Sequence, residues 1–217
     1  MERRCGVVNC LTVDFDIILR PFINLYNDVI SDNMTFGEFD KEYPTLSGLI
    51  QPDYFIYEYI TTFLMKLFKR LPKEKVFFIK SHEGVVKVLE QFDPGHELCN
   101  LDHHHDIGYE NVNINTKITQ YNVDCGNWVK YLKDQKIINN YVWIHNPNSN
   151  FPDPELEKKY IAKEYELRQV DLETQLSTVD MVILCKSPEW LPVSIEPLWK
   201  LWMELANSTY NVEFNLS

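Results

Sequence analysis

The segment Leu98–Asp106 constrains the fold of this chain more than any other, because an apolar run leads directly into the sequence DHHHD. If the segment is extended, side chains alternate between two faces, so Asp102, His104 and Asp106 share one face. The other two histidines of the motif then lie on the opposite face. Three donors on one face predict a metal site, whereas the alternative interpretation is a cluster of surface histidines.

A second pair of carboxylates lies in the apolar segment Cys5–Leu19, which we interpret as a first buried strand that leads into the sequence DFD. Asp14 and Asp16 stand two positions apart, so an extended backbone puts both on one face. Carboxylates are rarely buried without a partner or a metal ion, because losing their hydration without compensation is costly. The two acidic motifs together therefore favour a metal site.

A further histidine, His82, is predicted at a junction between a strand and a helix. The sequence KVFFIK at 75–80 predicts a short strand, and Ser81 is a suitable N-cap for a helix that runs through Phe92. Open α/β sheets place ligand-binding groups at such junctions. A single histidine more often has a structural role, so His82 joins the candidate site only in combination with the acidic motifs.

Strands and helices alternate along the chain. Apolar runs predict strands over 5–19, 75–80, 98–106, 137–145 and 178–186, and helical signals predict helices over 52–70, 81–92, 126–135, 155–172 and 194–205. Residues 20–51 are interpreted as a long and partly irregular excursion. The alternation predicts an α/β fold with three layers, in which a mostly parallel sheet carries helices on both faces. The 217 residues fit one domain, 1–217.

The composition disfavours several classes of partner. The formal net charge of −11 argues against nucleic acid, whose binding depends on neutralising phosphates with Lys and Arg, and is better suited to a basic substrate. No apolar run reaches the roughly 18–20 residues that span a bilayer, and the first residues do not resemble a secretory signal, so no membrane association is expected. Five cysteines without CxxC spacing are typical of reduced core residues in a cytoplasmic protein. The sequence leaves open whether the chain forms a homo-oligomer.

The candidate site would contain six side chains if the strand ends converge: Asp14, Asp16, His82, Asp102, His104 and Asp106. Four carboxylates and two neutral imidazoles carry four negative charges, which two divalent ions would balance. An oxygen-rich donor set suits Mn²⁺ better than a thiolate-type zinc site. Because a water molecule that bridges two metal ions has a much lowered pKa and becomes a hydroxide nucleophile, the expected chemistry is hydrolysis.

The ligand pattern resembles that of the arginase and ureohydrolase superfamily, through Asp-x-His-x-Asp at 102–106, Asp-x-Asp at 14–16 and the upstream His82. In ordinary arginases the Asp-x-Asp element comes late in the chain, so the similarity is to a permuted version of that arrangement. The chain resembles a small arginase-like family that includes the peptide arginases. This further similarity rests on CGNW at 125–128, VWI at 142–144 and SPEW at 187–190. The usual GGDHS context of the first histidine is replaced by KSHE at 80–83.

The resemblance implies an arginase/deacetylase-like fold, a function and a role for each ligand. Peptide arginases convert arginine side chains in ribosomally made peptides to ornithine and urea. The expected partner is therefore an arginine-containing precursor peptide, and the expected cofactor is two Mn²⁺ per chain. The expected ligand pairs are Asp102 and Asp14 as bridges, His82 and Asp106 on one ion, and His104 and Asp16 on the other.

Attack on the guanidinium carbon releases an amine that needs a proton, for which His103, His105 and His145 are candidate donors. Each of the three is also compatible with a structural role, because the sequence gives no distances. The residues that we expect to take part in catalysis are His104 and Asp106, through the metal centre, and His145.

Three other functions share parts of this pattern. A two-metal phosphoesterase of the DHH type also combines an early Asp-x-Asp with Asp-His-His, but phosphate binding needs Arg, Lys or a glycine-rich nest, and this acidic chain has seven glycines. A mononuclear zinc deacetylase would use one histidine and two aspartates, which leaves Asp16 and Asp106 without a role. The third alternative is a metal-dependent interaction module without enzymatic activity. The sequence also does not separate a peptide from a small guanidino molecule as the substrate.

Overall fold

One sheet of six parallel strands, in the order β2-β6-β1-β3-β4-β5, organises the part of the chain that the structure describes. The structure is a computed structural model, which describes residues 8–19, 40–41, 50–109, 112–147, 149, 151–188, 191–212 and 214. The strands are β1 (Asn9–Asp14), β2 (Val76–Ile79), β3 (His96–Asp102), β4 (Ile138–His145), β5 (Lys163–Glu166) and β6 (Met181–Cys185). Five of them fall within or close to the predicted strands, because those segments are continuous apolar runs suited to a sheet covered on both faces.

Helices connect these strands. They are α1 (Tyr54–Arg70), α2 (Gly84–Leu89), α3 (Trp128–Asp134), α4 (Pro154–Tyr160), α5 (Leu172–Gln175) and α6 (Glu196–Tyr210). The longest, α1, begins where the Asp53 carboxylate accepts hydrogen bonds from the amides of Phe55 and Ile56. It ends with Lys69 and Arg70, whose positive charges complement the helix dipole.

Two hydrophobic clusters cover the two faces of the sheet. On one face, Ile60 of α1 and Trp202 of α6 belong to the same buried cluster as Val13 of β1. On the other face, Leu89 of α2 and Trp128 of α3 belong to the cluster that also contains residues of β3, β4 and β6. The predicted three-layer α/β architecture is therefore confirmed, with a sheet whose strands are all parallel.

One predicted helix is wrong. The charged segment 155–172 was expected to form a single helix with Asp153 as its cap, but α4 ends at Tyr160 and the chain then forms β5 (Lys163–Glu166). The cap itself is confirmed, since the Asp153 carboxylate accepts from the amide of Glu155. Strand β5 pairs with β4 at the edge of the sheet, and this long-range pairing outweighs the helix propensity of its Lys and Glu residues.

Two local predictions near the candidate site are also wrong. Ser81 does not cap α2, which begins three residues later at Gly84, and its hydroxyl instead bonds the Glu83 carboxylate. Strand β3 ends at Asp102, so the strict alternation expected through Asp106 does not occur. Asp106 has a φ of 52°, a left-handed conformation that no strand contains.

Some predictions fall outside the described residues. These are most of the excursion at 20–51, the first residues of the segment 5–19, and Glu189 and Trp190 of the SPEW element. Within the described residues, no helix has the length and apolar character needed to cross a membrane.

The order of the strands predicts a crevice between the carboxyl ends of β1 and β3. After β1 the chain continues to α1 and then to β2 at one edge of the sheet, whereas after β3 it continues to α3 and β4 on the other side. Connections that diverge from neighbouring parallel strands leave an open position between them, where α/β proteins bind ligands. Asp14 ends β1 and Asp102 ends β3, so both acidic motifs stand at this crevice.

Candidate metal centre

The sheet register brings the ends of four strands together. Asp14 of β1 pairs with Cys185 of β6, and Asp102 of β3 pairs with His145 of β4. Because Val13 pairs with Leu101, the two aspartates that follow them are neighbours at the same edge. The predicted convergence of the two acidic motifs is therefore present in the structure.

The first ligand group surrounds His82, which lies between β2 and α2 as predicted. Its Nδ1 atom is 2.9 Å from Asp106 Oδ2, 3.2 Å from Asp14 Oδ2 and 3.3 Å from Asp102 Oδ2. One imidazole N–H cannot satisfy three carboxylates, since it has one hydrogen to donate. The His82 Nε2 atom is buried and has no hydrogen-bond partner among the described residues.

The second ligand group surrounds His104. Its Nδ1 atom is 2.8 Å from Asp16 Oδ2 and 3.8 Å from Asp102 Oδ1. The Asp16, His104 and Asp102 ligand atoms are all close enough to converge on a common ion.

Asp102 belongs to both groups, because its Oδ2 faces His82 and its Oδ1 faces His104. Its orientation is fixed by the Asn100 amide, which donates to Oδ2 at 2.9 Å, and by the His104 backbone amide, which donates to Oδ1 at 2.7 Å. Both contacts fit the predicted role of Asp102 as a bridge. Asp14 lies in the His82 group, and its role as a second bridge stays a prediction.

Asp16 does not lie on a strand. The chain turns after β1 into a short 3-10 helix (Phe15–Ile18), capped by the Asp14 carboxylate, which accepts from the Asp16 amide. Phe15 holds this turn in place by edge-on contacts with Trp199 and Trp202, whose ring centroids lie 5.3 and 4.9 Å away. The tight turn, and not an extended backbone, brings the two aspartates of this motif into one site.

Two residues of the site have left-handed backbones, Asp106 with a φ of 52° and Ser187 with a φ of 41°. This conformation is uncommon without glycine and is often retained where it orients a functional side chain. In both cases the side chain points into the site. The Asp106 carboxylate accepts from Trp128 Nε1 at 2.6 Å, and the Ser187 hydroxyl donates to Asp14 Oδ2 at 2.7 Å.

The pKa values of the closely packed carboxylates are shifted in opposite directions. Burial, together with the charge of Asp16, raises the pKa of Asp14 to about 7. Burial and the neighbouring Asp106 raise the pKa of Asp102 well above its usual range. Burial would raise the pKa of Asp16, but His104, His103 and His82 together lower it below its usual value. Strong shifts in both directions within one crevice are typical of a functional site.

The two imidazoles are shifted in the same direction. Burial alone would lower the pKa of His82, but its acidic neighbours, Cys185 and Asp14 among them, raise it well above its usual value. Asp16 likewise raises the pKa of His104 against the effect of burial. Without an ion, the site therefore holds protons that a divalent cation would displace.

His104 defines the open side of the described site, because its side chain is 20% exposed, whereas those of His82, Asp14, Asp102 and Asp106 are 3% exposed or less. Two exposed aromatic residues lie near the histidines of the site. They are Tyr109, whose ring is 6.2 Å from that of His104, and Phe151, whose ring is 5.1 Å from that of His145.

The three candidate proton donors differ in their surroundings. His145 ends β4 beside Asp102, is largely buried, and its Nδ1 contacts the Asn146 carbonyl oxygen at 2.9 Å. His103 Nδ1 is buried and has no described hydrogen-bond partner, and burial together with His104 lowers its pKa to about 4. His105 packs against Tyr109, and burial lowers its pKa to about 4 as well. His105 accepts a hydrogen bond from the Ile107 amide, which fits a structural role.

Sequence reasoning missed one donor of the site. Cys185 lies with Asp14 and His82 in a third group whose ligand atoms are all within 4.8 Å of one another. We interpreted this cysteine as a core residue because it follows the apolar run of β6. Its position at the carboxyl end of a predicted strand is the signal that the sequence offers. That signal is not sufficient, because the sequence does not show that β6 lies beside β1 in the sheet.

The donor set fits divalent ions, since four buried carboxylates and two imidazoles converge. In addition, His82 Nδ1 faces three carboxylate oxygens but has only one hydrogen to donate. Comparisons with models of protein families, with curated proteins and with solved structures find no match.

Proposed function

We propose that this protein is a dinuclear manganese hydrolase that acts on the guanidino group of a peptidyl arginine and releases urea to leave ornithine. The observation that supports it most is the division of the ligands into two groups that share Asp102. The resemblance to the permuted arginase-like family suggests the reaction and the peptide substrate, and the geometry of the donors is compatible with two ions.

Asp106, Asp14 and His82 would hold one ion, and Asp16 and His104 the other. Two bound divalent cations would supply Lewis-acid chemistry, which lowers the pKa of a water molecule and polarises the group that it attacks. Mn²⁺ suits the donor set because most of the donors are carboxylate oxygens.

The residues of the chain attract and orient a cationic substrate. The overall charge of −11 favours a guanidinium over a phosphate, whereas the charge of the four carboxylates would be balanced by the two ions. A guanidinium that enters past His104 would pass Tyr109 and Phe151, and this planar cation stacks well on aromatic faces.

Proton transfer to the departing amine would use a histidine close to the open side. His145 is the best placed of the three candidates, because it stands beside Asp102 at the end of β4 and contacts the partly exposed Phe151. His103 is the alternative, since its buried Nδ1 has no described partner.

The test is to incubate the manganese-reconstituted protein with arginine-containing peptides and with free arginine. We expect urea release and a mass loss of one CH₂N₂ unit per arginine in the peptides. Matched peptides with lysine in place of arginine are the substrate control, and Asp102→Asn is the protein control.

The outcomes separate the proposal from its alternatives. Turnover of free arginine with untouched peptides would keep the hydrolysis of a guanidino group and remove the peptide assignment. Cleavage of a phosphodiester, with no urea from either substrate, would favour the two-metal phosphoesterase. Full activity with one zinc ion per chain on an acetylated amine would favour the deacetylase.

A further inference from the structure

The His82 side of the site contains a thiol, that of Cys185, in addition to its carboxylates and imidazole. This residue ends β6, in register with Asp14 on one side and with Ile79, three residues before His82, on the other. Its ligand atom lies within 4.8 Å of those of Asp14 and His82. The group around His104 contains Asp16 and Asp102, so its donors are oxygen and nitrogen only.

Cys185 is buried but has polar neighbours. Its Sγ atom is 3.2 Å from the Ser187 hydroxyl and 3.8 Å from the Lys80 carbonyl oxygen. A cysteine that serves only as a small apolar residue does not need polar neighbours of this kind.

A second observation points to a ligand at the same place. The His82 side chain is 3% exposed, its Nδ1 faces three carboxylates, and its Nε2 has no described hydrogen-bond partner. Hydrogen bonds alone do not account for this imidazole, because one nitrogen faces three acceptors and the other has no described partner. Binding of a metal ion accounts for it better.

We propose that the Cys185 thiolate is a ligand of the ion on the His82 side, so that the two positions of the centre prefer different metals. This inference rests on the metal centre of the proposed function, and not on its substrate. Thiolate and imidazole donors favour zinc or iron(II), whereas a set of mostly carboxylate oxygens favours manganese. The thiol loses its proton to solvent when the ion binds, because the thiolate is the ligand form.

The preference has a consequence for the metal content. A protein offered manganese alone fills both positions with manganese. A protein offered zinc and manganese together is expected to hold zinc on the Cys185 side and manganese on the His104 side. The first preparation and the second should therefore differ in composition but not in the number of ions per chain.

The test is optical titration of the ion-free full chain with Co²⁺, a probe whose bond to a thiolate gives a charge-transfer absorption in the near ultraviolet. We expect two Co²⁺ to bind per chain and the intensity of the absorption to correspond to one thiolate. Cys185→Ser should lose this absorption and weaken one of the two positions by about 10- to 100-fold or more, while the other position is unchanged. Cys125→Ser, which removes a cysteine outside the three ligand groups, should keep the absorption.

Zinc X-ray absorption on the wild-type chain gives an independent answer if the serine variant does not fold. With one equivalent of zinc we expect a sulfur neighbour at about 2.3 Å, besides nitrogen and oxygen neighbours at about 2.0–2.1 Å. Two bound ions without sulfur ligation would overturn the role of Cys185 and leave the dinuclear centre standing. An absorption that persists in Cys185→Ser would also overturn it. A chain that binds no Co²⁺ would remove both this inference and the metal centre.

Discussion

Asp102 is the residue on which both halves of the site depend. Its two oxygens face different imidazoles, and both are held by hydrogen bonds from Asn100 and from the backbone of His104. An amide at this position would keep the shape of the side chain but lose its charge and one of its two acceptor atoms. The effect should therefore extend to both ions.

Asp102→Asn is expected to reduce the manganese content from about two ions per chain towards none and to abolish urea release, because neither ligand group keeps its shared carboxylate. Elemental analysis after reconstitution and desalting measures the first effect. His103→Ala is the matched control and should keep both ions, since this side chain belongs to none of the ligand groups. If His103→Ala lost metal while His104→Ala kept it, the assignment of ligands in this segment would be wrong.

Trp128 positions Asp106 through the bond from its Nε1 atom, which is 2.6 Å from the carboxylate. Trp128→Phe keeps an aromatic ring at the site and removes the donor. We expect the manganese affinity to fall by about 10- to 100-fold, the usual cost of losing an outer hydrogen bond to a ligand. Trp202→Phe is the control, because its Nε1 donates to Thr61 and not to a ligand. Equal affinities for the two variants would contradict a positioning role for Trp128.

At the scale of elements, the site depends on how the ends of strands are fastened to one another. Asn146 follows β4, and its side-chain amide donates to the carbonyl oxygens of Ile17 and Leu19, at 3.1 and 3.0 Å. These contacts tie the end of β4 to the turn that carries Asp16. The open side of the site is thus held between two elements that are far apart in the sequence.

Asn146→Ala should destabilise the fold by about 1–3 kcal/mol, because it leaves two buried carbonyl oxygens without this donor. Urea denaturation measures the change. Asn140→Ala, at an exposed position on the same strand, should change the free energy of unfolding by about 0.5 kcal/mol or less. We further expect Asn146→Ala to weaken the ion on the His104 side more than the ion on the His82 side. A loss confined to the His82 side would contradict this link.

The sequence predicted most of the elements because their signals are local. The apolar runs of β1, β3, β4 and β6 and the amphipathic pattern of α1 each specify one kind of structure. Strand β5 was missed because its residues are charged and partly exposed, and only its pairing with β4 makes it a strand. Local propensity cannot anticipate a partner that lies elsewhere in the sequence.

The contrast between local signals and long-range contacts also applies to the residues of the site. All six predicted ligands converge, because each follows or lies close to the carboxyl end of a parallel strand. The reason given for Asp106 was wrong, since it reaches the site through a left-handed backbone after β3 has ended. Cys185 could not be assigned, because β6 lies next to β1 only through a crossover from the far end of the sheet.

For the whole molecule, the buried site is a source of instability when no ion is bound. The pKa of Asp14 is raised to about 7 by burial and by Asp16, and the pKa values of His82 and His104 are raised by their carboxylate neighbours. A group whose pKa is raised on folding stabilises the fold below its unfolded pKa and loses that contribution as the pH rises through its folded pKa. The pKa values of Asp16 and Asp106 are lowered on folding, so these two carboxylates change the stability of the fold only at more acidic pH.

We therefore expect the ion-free protein to lose stability as the pH rises from about 5.5 to 8, while bound ions replace the departing protons. The difference in Tm between the manganese-loaded and the chelator-treated protein should grow over this range, as measured by circular dichroism in buffers of constant ionic strength. Asp102→Asn should show little difference at any pH, because it binds the ions weakly. A difference that shrinks as the pH rises would contradict the placement of the titrating groups in the ion site.

The central claim is that two ions lie on either side of the Asp102 carboxylate, and anomalous diffraction from crystals of the manganese-loaded protein tests it most directly. We expect two anomalous peaks in the crevice between β1 and β3, one next to His82 and Asp106 and the other next to His104 and Asp16, with Asp102 in contact with both. A single peak, or two peaks away from Asp102, would contradict the claim.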